Sequence, residues 1–189
     1  MARSKEFDPE VALERAMSLF WERGYEKSSL QELVDHMKIG RRSLYDTFGD
    51  KHALFLRSLG RYITQREAVE RERADSAVDA RSAIRTLLET SVVEGAVGSR
   101  GCLAVNSATE VSPEDNEVAR SVEHHFAATR QLLTDLLRQG RRDGSVRSSR
   151  DPEVLATILF NAWLGLRVQV RGGVGDPEAD VEALLTLLD

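Results

Sequence analysis

Arg41, Arg42, Ser43, Tyr45 and Thr47 are a run of polar side chains suited to one kind of chemistry, the reading of DNA. A guanidinium can bind a base edge or a phosphate, and hydroxyls can bind phosphates. Within the run, Leu44 and Phe48 lie four apart, so they share a helix face and can anchor it on a core. The polar residues are left near the other side. Asp50 can cap a further helix beginning at Lys51, whose first-turn N–H groups, with Lys51, could hold a phosphate.

Other elements must position this run. Leu30, Leu33, Val34 and Met37 fall at i, i+3, i+4 and i+7, one apolar stripe on a preceding helix. Ser28 or Ser29 can cap that helix, because a serine oxygen accepts from a free first-turn N–H. Gly40 follows the stripe, where the chain must turn sharply and positive φ is cheap for glycine. Two short helices around a tight turn are the layout of a helix-turn-helix, whose second helix enters the major groove. A helical hairpin with solvated arginines would share that layout. The upstream segment Asp8 to Arg23 favours the DNA reading. It carries Ala12, Ala16, Leu19 and Phe20 on one side, stops at Gly24, and supplies a third helix for a common core.

On these features, residues 8 to about 60 resemble the N-terminal domain of the TetR family of bacterial transcriptional regulators. The matching residues are Ala16, Leu19 and Phe20; Gly24-Tyr25 followed by Ser28-Ser29; and Ser43-Leu44-Tyr45 with Phe48 and Lys51. The resemblance implies that Arg41, Arg42 and Ser43 face base edges or nearby phosphates. It implies phosphate contacts from Tyr45, Thr47 and Lys51, and a backbone contact from Ser28 or Ser29. Three positions depart from the family pattern. Gly40 stands where a polar cap is common, Arg42 where a small residue is common, and Asp46 where an aromatic or histidine is common. A carboxylate near phosphates is repelled unless it accepts from a cytosine amino group or pairs with an arginine.

The remaining chain fits a control domain. At 189 residues there is room for a small DNA-binding domain, 1–50, and a larger helical one, 51–189. The net charge of −5 is unusual for a nucleic-acid binder. However, basic and acidic residues nearly balance through Arg61, and only the contact face must be positive. No signal peptide and no apolar run long enough to span a bilayer stand out, so the cytoplasm is the simplest location. A single cysteine excludes an internal disulfide framework.

The four prolines share one context: Asp8-Pro9-Glu10, Ser112-Pro113-Glu114, Asp151-Pro152-Glu153 and Asp176-Pro177-Glu178. Each reads as N-cap, N1 and an acidic N2 suited to the positive end of a helix dipole. With no alternating strand pattern, the expected fold is all-α, with later helices over 77–97, 101–110, 114–140, 152–171 and 177–188. Gly98 and Gly101 separate the first two, and Gly140 and Gly144 end the third.

Val154 to Val170 is apolar nearly all round, which predicts burial on all sides. One chain can cover one face, and a second copy is the natural cover for the other. Leu155, Ile158, Leu159, Ala162 and Leu166, with Val181, Leu184, Leu185 and Leu188 of the last helix, are therefore the expected homodimer interface. A monomer with a central core helix is the simpler alternative. A dimer presents two heads, and its symmetry predicts a palindromic operator with half-site centres about 34–36 Å apart, or a multiple.

In TetR-like regulators a small molecule binds the middle helices and shifts the spacing of the heads. The candidates here are Cys102, Val105, Asn106, Glu110, His125, Phe126, Phe160 and Trp163, which mix apolar surface with a few polar groups. The aromatics also suit a core. Asn106 and Glu110 share a face, where they can grip a polar ligand or pair locally. His124 and His125 point apart on a helix and lack a third ligand, so neither a metal nor a cofactor is expected. Cys102 has no resolving partner in its chain, which favours a small buried residue over a redox switch. No nucleophile elbow, P-loop or metal-ligand cluster is present, which argues against an enzyme. The expected protein is a cytoplasmic, homodimeric, ligand-responsive repressor. Its alternative is an architectural DNA binder without an effector.

Overall fold

A computed structural model describes residues 7–96 and 100–189, with side chains described outside 93–96. Among these residues all regular structure is helical. Three helices make the head: α1 (Pro9–Arg23), α2 (Leu30–Met37) and α3 (Arg41–Phe48). The long α4 (Lys51–Asp75) follows, and the body is completed by α5 (Ala80–Ala96), α6 (Leu103–Glu110), α7 (Asn116–Asp143), α8 (Pro152–Gly172) and α9 (Pro177–Leu185). A 3-10 turn, Thr186–Leu188, ends the chain.

Local chemistry sets most boundaries. Asp8, Asp151 and Asp176 each cap a helix whose first residue is proline, as their spacing predicts. The fourth proline context behaves differently. Asp115, not Ser112, caps α7, accepting from the N–H groups of Glu117 and Val118, and Pro113 lies in the turn before it. The α2–α3 turn also departs from expectation. Gly40 has φ −72° and caps α3 without a side-chain hydrogen bond, whereas Lys38 holds the left-handed conformation at φ 58°. Gly140 does not end α7. It is buried inside the helix against Val146, and Gly144 is the left-handed cap. Gly101 has positive φ, and Gly98 lies outside the described residues.

The head packs around Ala16, Phe20, Leu33, Met37, Leu44 and Phe48, and α4 closes it with Leu54, Phe55 and Leu59. At 25 residues α4 is roughly 37 Å long, enough to run from the head into the body. There its later turns meet α5 and α7. In length and composition α8 could cross a bilayer, which corrects the expectation that no apolar run reaches that length. Its surroundings make it a core helix. It packs against α5 and α7, and its Arg167 is buried with an acidic partner.

Candidate nucleic-acid interface and effector site

On α3, burying Leu44 and Phe48 turns the polar residues outward. Arg41 and Arg42 are exposed, and Tyr45 stands 44% exposed, an unusual position for an aromatic without a partner. Ser43 and Thr47 are half-buried at the edge of the face. Arg42 pairs with Asp46 at 3.6 Å, with side-chain exposures of 94% and 68%. A pair this exposed is weak, so the guanidinium can be re-partnered at little cost. It also gives Asp46 the arginine that a carboxylate on such a face requires.

The flanking residues divide. Ser29 caps α2 in a reciprocal box with Glu32, whose carboxyl is held below its usual range, first by the Ser29 N–H and then by its hydroxyl. Ser28 is fully buried and donates its hydroxyl to the Gly24 carbonyl at 2.6 Å. Its side chain braces the head and has no path to a phosphate, which corrects its expected contact. The Lys51 ammonium lies 4.3 Å from the Tyr25 ring centroid, a cation–π contact that fixes it at the start of α4. Asp50 already takes the Ala53 N–H there, so one of the expected phosphate donors is occupied.

In the body, six of the eight effector candidates come together. Phe126, Phe160, Trp163 and His125 form a chain of ring contacts at 5.5–6.3 Å between centroids. The Cys102 sulfur interacts with His125 and with the Val105 N–H. The other two candidates lie apart. Asn106 donates to the Arg100 carbonyl at 2.9 Å, closing the turn into α6. Glu110 is exposed at the far end of α6 and reaches the head. This cluster also contains groups outside that candidate set. Arg167 faces Glu70 at 3.5 Å, with both side chains at most 4% exposed, and its guanidinium lies 4.1 Å from the Trp163 ring centroid. Glu67 sits 3.4 Å from His125, and the buried Tyr62 adjoins Cys102. A charge inside the apolar run of α8 was the available sign, since such charges are buried only with partners.

The titrations reflect this company. Burial pushes the Cys102 thiol up, but Arg167, His125, Tyr62 and the Val105 N–H together outweigh it and bring it to about 7. Burial pushes His125 down, and Cys102, Glu70 and Glu67 outweigh it to raise the imidazole. Tyr62 is held well above its ordinary value, by burial first and then by Cys102.

Residues 100–110 are tied to the head at both ends. The Trp21 indole donates to the Gly101 carbonyl at 3.0 Å, and Arg100 reaches both the Ser18 hydroxyl and the Trp21 ring. At the other end the Glu110 carboxylate accepts from the Tyr25 and Glu26 N–H groups at 3.2 and 3.0 Å. Just beyond α6, Asp115 meets His52 of α4 at 2.6 Å.

The outer face of α8 revises the expected dimer set. Leu155, Leu159, Leu166, Val181, Leu185 and Leu188 are buried within the protomer and cannot meet a second copy. Ile158, Ala162 and Leu184 retain exposure. The outward strip is instead Val154, Ile158, Ala162, Gly165 and Val168, with a groove of about 330 Å³ beside it bordered by Leu184 and Leu187.

Two family descriptions match the chain. Residues 12–57 match the family described as bacterial regulatory proteins, tetR family, and residues 82–184 match the tetracyclin repressor-like C-terminal domain. The chain is 32% identical over the full length of both proteins to the uncharacterized HTH-type transcriptional regulator YezE of Bacillus subtilis (strain 168). It is 30% identical to the HTH-type transcriptional repressor ComR of Escherichia coli (strain K12), over 90% of this chain and 83% of ComR. Among solved structures, a cysteine-substituted form of the TetR family regulator CifR, complexed with 26-bp operator DNA, superposes with a TM-score of 0.86. That match has 34% identity and covers all of both chains. Reduced NemR of E. coli shares the fold at the same TM-score with 23% identity, covering 95% of this chain and 96% of NemR. With a head built to present α3 and a body like the family's C-terminal domain, the chain is not an enzyme but belongs to the TetR family of bacterial transcriptional regulators.

Proposed function

We propose that this protein is a homodimeric repressor that binds a palindromic operator through α3 and is released by a small-molecule effector acting in the body. The observation that carries this reading is the outward face of α3, where Arg41, Arg42 and Tyr45 stand clear of the core that Leu44 and Phe48 enter. The operator complex of CifR supports it. Arg41, Arg42 and Ser43 read bases or adjoining phosphates, while Tyr45, Thr47 and Lys51 hold phosphates. Ser29 approaches the backbone from the start of α2. The head is residues 1–50, and 51–189 carry the effector site and the dimer contact. The outward strip of α8, with Leu184 of α9, joins the two copies. The effector occupies the neighbourhood of Cys102, Val105, His125, Phe126, Phe160 and Trp163. DNA and effector then oppose each other by the same factor in both directions. Chromosomal DNA as the partner makes the cytoplasm the place of work.

The test is selection of bound duplexes from a random DNA pool at near-physiological salt, with the mass of the complex recorded. An enriched palindrome held by one dimer or a pair of dimers is the expected result. Salt-sensitive binding without enrichment would favour the architectural alternative. On the selected duplex, Lys51→Ala should reduce the salt slope by about one unit and weaken all sequences alike. An unchanged slope would remove Lys51 from the phosphate contacts.

A further inference from the structure

Asp46 occupies an odd place for a carboxylate. With about 100° between successive helical residues, Leu44 and Phe48 set the inward direction of α3, and Arg42 and Asp46 fall on the side opposite to it. Arg41 and Tyr45 lie on one flank, and Ser43 and Thr47 on the other. The exposures agree. The side chains of Arg42 and Asp46 are 94% and 68% exposed, whereas Ser43 and Thr47 are half-buried. The residues that stand furthest from the core of the head are therefore an arginine and an aspartate one helical turn apart. In a major groove such outermost side chains meet base edges, while the flanks face the backbone on either side.

A carboxylate at that point is repelled by the phosphates around it. Among the described residues its ionic partner is Arg42, whose Nε lies 3.6 Å from Oδ2. That approach occupies one edge of the guanidinium. The two terminal nitrogens keep N–H groups for another edge, which can donate in parallel to N7 and O6 of a guanine. In water the pair is weak. Beside DNA the choices open to Arg42 are no longer equal. Swinging out to a phosphate leaves Asp46 bare among like charges, whereas turning to a base keeps the pair together. The carboxylate thus penalises the backbone contact and favours the base contact. It also steadies a planar fork on a long stem, so less freedom is lost on binding.

We propose that Asp46 is a positioning residue that turns Arg42 onto a guanine, so that each operator half-site carries a G·C pair read by this couple. Arg42 donates to the guanine, and Asp46 acts through Arg42 without touching a base. The choice of base rests on the operator-binding reading above, which leaves the base open.

The experiment selects duplexes from a random pool with the full-length parent, Arg42→Ala, Asp46→Asn and the double variant. Affinity is then measured for the parent's duplex and for duplexes changed at one base pair per half-site. Asp46→Asn keeps the size of the side chain and removes its charge, and it should melt with the parent. The parent should prefer guanine at one half-site position by about tenfold or more, and Arg42→Ala should erase that preference at that position alone. There 7-deazaguanine, which lacks N7, should weaken the parent, and hypoxanthine, which keeps N7 and O6, should not. Asp46→Asn should lower the guanine preference by about three- to fivefold, the scale of an exposed ion pair. It should also raise affinity for unrelated DNA, because a negative charge has left the face. In the double variant the preferences should be those of Arg42→Ala.

A guanine preference untouched by Asp46→Asn would overturn the positioning role. A cytosine preference lost in Asp46→Asn and kept in Arg42→Ala would make the carboxylate a base reader in its own right, and would overturn that role as well. Uniform weakening by Arg42→Ala, or loss of a base other than guanine, would overturn the guanine. If the parent enriches no duplex, the operator reading fails and the couple falls with it. An enriched palindrome without an Arg42-dependent guanine fails the couple alone.

Discussion

Two arginines of this protein have the same side chain and opposite circumstances. Arg42 on α3 is 94% exposed and shares a loose pair with Asp46. Arg167 on α8 is 4% exposed, faces Glu70 and stacks over Trp163. In water the first pair is worth little, and either member can exchange its partner for a phosphate or a base. The second pair has been taken out of water, so removing one member leaves a charge that the interior cannot solvate. The head thus carries charge that is available, and the body carries charge that is committed. On the proposed reading, the first set meets DNA and the second holds the fold of the body.

That contrast can be broken at its strongest point. Glu70→Ala should cost about 3–5 kcal/mol of stability, a fall in Tm of roughly 10 °C for a chain of this size. Replacing the pair together, Glu70→Leu with Arg167→Met, should recover most of that loss. A single variant that melts like the parent would show the buried pair to be as dispensable as the exposed one. On the head the loss should appear only with DNA present. Arg42→Ala should cost about 1–3 kcal/mol of operator binding and relax one position per half-site, with stability changed by less than about 0.5 kcal/mol. Uniform weakening across sequences would make Arg42 a phosphate contact instead.

Between these extremes stands Asp115, which joins the two regions through His52 and caps α7. Asp115→Ala should cost about 1 kcal/mol by thermal unfolding at neutral pH. The Val118 N–H, before any other group, holds the Asp115 carboxyl below its usual range. Its stabilisation is therefore present above the unfolded value of about 3.9 and lost as pH falls through the lower folded one. The gap between parent and variant should close in acid, and a constant gap would point to packing. Smallest of all, Gly40→Ser should stabilise the head by a few tenths of a kcal/mol through a new cap on α3. The backbone there is already extended, and an added Cβ would meet only the Ser43 hydroxyl, at 3.9 Å.

Much of this was legible in the chain itself. Asp-Pro-Glu marks three helix starts because the cap, the fixed φ and the dipole all act within three residues. At Ser112-Pro113-Glu114 the same signal misleads, because Asp115 follows and its carboxylate engages two N–H groups. Local signals also placed the turn before α3, yet they could not tell that Lys38 rather than Gly40 would adopt positive φ. The face of α8 was harder. A helix apolar all round has no period to separate its inner side from its outer one, so the pattern alone offers Leu155, Leu159 and Leu166 to a partner, whereas the protomer buries them itself. Least legible was the buried cluster. Tyr62, Glu70, Cys102, His125 and Arg167 come from α4, the residue before α6, α7 and α8, and only tertiary packing brings them together.

Gly24 and Glu110 add a question of time. A side chain at Gly24 would lie 2.6 Å from the Glu110 carboxylate, so the absence of one lets that carboxylate close over the turn. There it covers the amides of Tyr25 and Glu26, 85 and 84 residues away in sequence. An amide in a surface turn trades its hydrogen with solvent quickly unless a bond must open first. Exchange at these two positions therefore records how often head and body let go of each other, a lifetime for the joint read from two hydrogens.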